Sequence, residues 1–105
     1  MNRQKAIFIV YNSALHGLVL RTLEQHNAKG YTEWSEVYGR GSATGEPHLG
    51  SHAWPTTNGA MMVITDAERA ERLLAALHQI DQDNPKQGLR AFAWEVTDMI
   101  ERIQH

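Results

Sequence analysis

Apolar residues in this chain come in short blocks whose spacing changes from one block to the next. Residues 5–11, Lys-Ala-Ile-Phe-Ile-Val-Tyr, are β-branched and aromatic with almost no polar break. Such a run predicts a central strand covered on both faces. Asn12 and Ser13 follow as N-cap residues. From residue 14 to 26 the spacing becomes helical, with Leu15, Leu18, Val19, Thr22 and Leu23 on one face. Gly17 weakens that helix, and Lys29-Gly30 supplies its expected exit. Residues 31–38, Tyr-Thr-Glu-Trp-Ser-Glu-Val-Tyr, return to β-formers with weak alternation. Residues 58–65 predict a third strand. Asp66 then caps a helix over 67–80 that buries Ala70, Leu73, Leu74, Leu77 and Ile80. A polar turn over 81–88 leads to a fourth strand over 89–96. In that strand Leu89, Ala91, Ala93 and Glu95 oppose Arg90, Phe92, Trp94 and Val96. Thr97 or Asp98 is placed to cap a short last helix over 99–103.

The element order is βαββαβ, the split βαβ or ferredoxin-like pattern of the α+β class: a four-stranded antiparallel sheet with two helices on one face. Residues 1–105 are read as one such domain. With both helices on one side, the other sheet face lacks a cover. Phe8, Trp34 and Trp94 are more apolar than a solvated face requires, which predicts self-association.

Residues 39–59 break the pattern. This segment holds five of the eight glycines, two of the three prolines and two of the six histidines. A loop of that length in a small domain is functional or disordered more often than a spacer. His48 and His52, with Glu46 beside them, form a candidate transition-metal set, because neutral imidazole is the commonest biological metal ligand. The bland alternative makes them polar loop residues, with Trp54 packing the loop onto the body. Gly39, Arg40 and Gly41 offer backbone N–H groups and a guanidinium to an anion. The alternative there is that the glycines only permit tight turns. His16, His26 and His78 read as surface or half-buried helix residues, and Met61 and Met62 as strand filling.

Composition removes several function classes. No cysteine is present, so neither a disulfide framework nor a thiolate metal site exists. A net charge of −2 argues against a nucleic-acid binder. No apolar run is long enough for a membrane span, and a cytoplasmic location is the default. No nucleophile elbow, dinucleotide fingerprint or metalloprotease helix occurs, so enzymatic activity is not expected. A dimeric α+β barrel enzyme shares the element order, but Trp34 and Trp94 give it no converging polar set.

The βαββαβ order, the phrase Gly30-Tyr-Thr-Glu-Trp-Ser-Glu-Val-Tyr-Gly-Arg-Gly and the long loop after it resemble the P-II (nitrogen regulatory protein) superfamily. The ending Ala91-Phe-Ala-Trp-Glu-Val-Thr-Asp-Met-Ile is similar to that family's last strand and following turn. The resemblance implies a homotrimer with its sheets facing inward and ligand clefts between subunits. It also implies that the loop is a T-loop, presented to a partner enzyme or transporter through residues such as Thr44, Gly45, Leu49 and Trp54. ATP or ADP is the implied ligand, with Lys86, Arg90 and Arg102 as its cationic contacts. The chain departs from the classical pattern at two places. Its stretch Asp83-Asn-Pro-Lys-Gln-Gly-Leu-Arg90 holds one glycine where nucleotide-binding members have a glycine-rich cradle, and residues 39–59 contain no tyrosine for modification. The expectation is therefore a non-classical P-II-like regulator binding a nucleotide or a metal. The alternative is a metal-homeostasis protein using the loop histidines. The related CutA trimers share the fold and a link to divalent metals, but their loops match this one poorly.

Overall fold

The computed structural model describes residues 3–28, 30–38 and 57–100. Four strands and two helices follow in the expected order: β1 (Gln4–Asn12), a single 3₁₀ turn (Ser13–Leu15), α1 (His16–Gln25), β2 (Tyr31–Val37), β3 (Asn58–Asp66), α2 (Ala67–Asp83) and β4 (Leu89–Glu95). The strands pair antiparallel in the order β2-β3-β1-β4.

Alternation along each strand decides what the helices cover. Ile7, Ile9 and Tyr11 of β1, Met61 and Val63 of β3 and Leu89 of β4 turn toward α1 and α2. There they meet Leu15, Val19 and Leu23 from the first helical segment and Ala70, Leu73, Leu77 and Ile80 from α2. Each large side chain buried this way contributes roughly 1.5–3 kcal/mol. The expectation of a doubly covered first strand is corrected. β1 is central, but the helices cover one face only, and Phe8 and Val10 on the other face are half-buried. The apolar run reflects one packed face and one uncapped face.

The uncapped face carries a register of large apolar groups. One row across the sheet is Trp34, Ala60, Val10 and Arg90, and the next is Thr32, Met62, Phe8 and Phe92. Ile64, Ala6 and Trp94 form a third. Trp34, Ile64, Phe92 and Trp94 are each exposed by 42% or more. Phe8 and Trp34 meet edge to face, with ring centroids 6.0 Å apart.

Helix ends depart from the sequence reading in instructive ways. The first helix exits at Asn27, not at Lys29-Gly30. Asn27 takes φ 58, its N–H donates to the Glu24 carbonyl, and the Ala28 N–H donates to the Leu23 carbonyl. That is a Schellman closure with asparagine in the left-handed position, which asparagine tolerates better than other side chains. Leu18 lies at the edge of the apolar stripe and is 37% exposed. Asp66 caps α2 as expected, accepting from the Arg69 N–H at 2.8 Å. The helix runs three residues past Ile80, until the Asn84 side chain donates to the Ile80 carbonyl at 2.9 Å and Pro85 precludes another turn. The expected last helix has not begun by Ile100. Residues 96–100 are irregular and Ile100 is fully exposed. The rest of that stretch, 101–103, lies outside the described residues.

Candidate ligand site at the root of the long loop

Both roots of the long loop stand at one end of the sheet. β2 delivers Val37 and Tyr38 there, and Thr57 and Asn58 re-enter beside them, with Asn58 in register with Val37 on one side and Asn12 on the other. Two backbone bonds tie neighbouring segments to this end. The Ser13 N–H donates to the Thr57 carbonyl at 3.0 Å, and the Asn12 N–H donates to the Gly88 carbonyl at 3.2 Å. The Thr57 and Ser13 hydroxyls meet at 3.0 Å, and Asn12 Oδ1 accepts the Ala14 N–H at 2.8 Å. The end of β1, the start of the first helical segment, the loop root and the turn before β4 thus form one wall.

That turn is rigid. The Asn84 carbonyl accepts from the Gln87 and Gly88 N–H groups, and Asp81 Oδ1 accepts the Leu89 N–H at 3.1 Å. Gly88 sits at φ 84, a left-handed conformation suited to glycine. Three consecutive N–H groups are therefore spent inside the turn and are not offered to an anion, as a phosphate-cradling nest would require. The charge available at this end belongs to side chains. Lys86 and Arg90 are both exposed, and Arg90 projects on the uncapped face, in the row that ends at Trp34. Tyr38, 83% exposed, donates its hydroxyl to Glu36 at 3.2 Å.

Beneath the same end, on the helix side, lies a second group of polar side chains. His16 Nε2 approaches Glu33 Oε2 to 2.8 Å, linking the first turn of α1 to β2. The His16 ring also lies 6.2 Å from that of Tyr11. The Tyr11 hydroxyl is buried with no hydrogen-bond partner among the described residues. Burial first, then the negative charge of Glu33 and the neighbouring Tyr31, push its pKa up to about 12. Gly59 makes room for the Tyr11 ring, since a β-carbon there would come to 3.0 Å of it.

Among the candidates drawn from the sequence, Lys86 and Arg90 are brought to this end of the sheet. Gly39, Arg40, Gly41, Thr44, Gly45, Glu46, His48, Leu49, His52, Trp54 and Arg102 lie outside the described residues. Among the described residues no three histidine, aspartate or glutamate side chains gather in a metal-holding cluster, and no helix is long and apolar enough to cross a membrane. Sequence reasoning missed the meeting of Tyr11, His16 and Glu33. No local signal marks it, because the three sit on three different elements.

The fold is similar to several solved structures. A PII-like signalling protein from Thermus thermophilus is 25% identical, with a TM-score of 0.66 over 90% of this chain and 88% of that one. The PII-like protein CPII from Thiomonas intermedia, bound to ADP, AMP and acetate, matches with a TM-score of 0.66 at 15% identity over 92% and 91% of the two chains. The same protein bound to ADP, AMP and bicarbonate matches at 0.64 and 18% identity over 91% and 90%. No curated protein sequence matches this chain significantly. The family model described as Nitrogen regulatory protein P-II matches residues 4–104. By that match over nearly its whole length, and with a turn before β4 unlike the classical glycine-rich cradle, the chain belongs to the nitrogen regulatory protein P-II family as a non-classical, PII-like member.

Proposed function

We propose that this protein is a trimeric PII-like signalling protein that binds an adenine nucleotide between subunits at the root of its long loop and presents that loop to a partner protein. The observation that carries this reading is the convergence of both loop roots with the 84–88 turn, Lys86 and Arg90 at one end of the sheet. A ligand seated there touches the segment from which the loop departs, so ligand binding would be transmitted to the loop. The turn's own N–H groups are occupied, so phosphate recognition falls to Lys86 and Arg90, joined by Gly39, Arg40, Gly41 and Arg102. The ADP, AMP and bicarbonate named for the Thiomonas protein supply the ligand class. Thr44, Gly45, Leu49 and Trp54 would form the partner-facing part of the loop.

The uncapped sheet face supports the trimer. Its apolar rows are too extensive for a solvated surface, and three copies meeting through them would bury Trp34, Phe92 and Trp94 together. The test is thermal unfolding with ADP, AMP and ATP, each with and without bicarbonate, alongside a mass measurement in solution. A ligand at about one hundred times its Kd stabilises by roughly 2.7 kcal/mol. The reading requires a nucleotide shift that Lys86→Ala and Arg90→Ala reduce. A shift with Ni(II) or Zn(II) alone, abolished in the His48→Ala/His52→Ala variant, replaces it with metal sensing through Glu46, His48 and His52.

A further inference from the structure

Two successive amides at the end of β1 donate in opposite directions. The Asn12 N–H reaches the Gly88 carbonyl on the β4 side, and the Ser13 N–H reaches the Thr57 carbonyl on the β3 side. Both bonds stand at the limit of the sheet, since β1 pairs with β4 as far as Tyr11–Leu89 and with β3 as far as Asn12–Asn58. Gly88 belongs to the turn that carries Lys86, and Thr57 stands where the chain re-enters from the long loop. The peptide unit between Asn12 and Ser13 is planar, so only φ and ψ of Asn12 separate the two N–H groups. Those angles, −60 and 138, are held by the side chain of the same residue. Asn12 is 7% exposed, and its Oδ1 accepts the Ala14 N–H at 2.8 Å. The residue cannot rotate about its backbone without breaking that cap.

We propose that Asn12 is a positioning residue that joins the 84–88 turn to the second root of the long loop, so that a change in the turn is felt at Thr57. Terminal rungs of a ladder are the first to open, and two independent rungs would open separately. Here one fixed residue carries both. On the turn side, Gly88 is tied back by its own N–H to the Asn84 carbonyl, so the turn shifts its carbonyl as part of a unit. On the loop side, the Thr57 hydroxyl donates to Ser13 Oγ at 3.0 Å and adds a second tie. The inference deepens the proposed function and rests on it only for the ligand. A nucleotide held by Lys86 would steady Thr57 through Gly88, Asn12 and Ser13 without touching it. By reciprocity, a partner that steadies the loop root would tighten nucleotide binding.

The test is residue-resolved amide hydrogen exchange on the full-length protein, first without ligand. Gly88→Ala strains the turn and should speed exchange at both Asn12 and Ser13 by at least about fivefold relative to Ile7 in the middle of β1. Thr57→Val, an exposed change that keeps the fold, should act in the other direction and loosen Asn12 as well as Ser13. Adding Asn12→Ala should stop the effect of Gly88→Ala from reaching Ser13, whereas Asn12→Asp, which keeps the acceptor, should pass it on. Faster exchange confined to Asn12 in Gly88→Ala and to Ser13 in Thr57→Val, or a uniform rise that includes Ile7, overturns the proposal. ADP is then added, with binding followed by calorimetry. Bound ADP should slow exchange at Ser13. Bound ADP that leaves Ser13 unchanged overturns the coupling, whereas absence of ADP binding overturns the nucleotide reading and leaves the ligand-free result to decide.

Discussion

Gly59 and Tyr11 face each other across β1 and β3, and the tyrosine ring occupies the space that a side chain on Gly59 would need. A β-carbon at Gly59 would sit 3.0 Å from Cε2, Cζ and the hydroxyl oxygen of Tyr11. The ring is buried and held by the core, so it cannot swing aside without displacing its neighbours. Gly59→Ala is therefore expected to destabilise by about 1–3 kcal/mol through overpacking. The additional change Tyr11→Leu should restore part of that loss. Denaturant unfolding of the single and double variants checks this, and additive effects would contradict it.

The same tyrosine gives the protein an alkaline signature. Its folded pKa of about 12 lies above the ordinary 10.0. The folded state thus holds the proton more tightly than the unfolded chain. The contribution is fully present below pH 10 and is lost as pH rises toward 12. Stability measured across that interval should fall more steeply in the wild type than in Tyr11→Phe.

At the acid end the relevant group is Asp66. The Arg69 N–H bonded to its carboxylate, aided by the Arg69 charge, holds its pKa below the ordinary 3.8. Its cap contribution is present above that value and is lost as pH falls through the lower folded one. Asp66→Asn, which still caps, should flatten the acid limb of the stability profile with little loss at neutral pH. Asp66→Ala should lose stability at neutral pH as well.

Gly88 couples the backbone of the turn to the end of β1, since its carbonyl accepts from Asn12 and its φ is 84. Gly88→Ala is expected to cost about 1 kcal/mol or more from the left-handed strain. It should weaken the proposed nucleotide binding by more free energy than it removes from the stability of the ligand-free protein. Calorimetric affinity set beside the melt separates the two effects.

The uncapped face offers a direct test of assembly. Phe92 is 53% exposed and Trp94 46%. Phe92→Lys together with Trp94→Lys removes apolar area from the middle of the proposed interface and adds like charges to it. If the proposed trimer forms through this face, light scattering should show it replaced by monomer at micromolar concentration, with the secondary structure intact by circular dichroism.

Much of this architecture is written in local pattern. The βαββαβ order, the Asp66 cap, the inward stripe Ala70, Leu73, Leu77 and Ile80, and the apolar surplus of Phe8, Trp34 and Trp94 were all legible. Each depends on spacing within a single element, because side chains repeat about every two residues on a strand and about every 3.6 on a helix. Of the candidate site, Lys86 and Arg90 were named through the family resemblance, and both stand exposed at the end of the sheet that carries the loop roots. That the N–H groups beside them are consumed within the turn was not, because hydrogen-bond accounting needs coordinates.

Tertiary structure alone decided where chain segments meet. Asn27 rather than Gly30 closes α1 because the chain must turn toward the edge of the sheet at that point, and an asparagine can take the left-handed conformation there. Tyr11, His16 and Glu33 come together only because β2 lies beside β3, β3 beside β1, and α1 crosses above them. Periodicity determines which way a side chain points from its own element. Strand register and helix placement determine what it points at, and these arise from packing residues far apart in the chain.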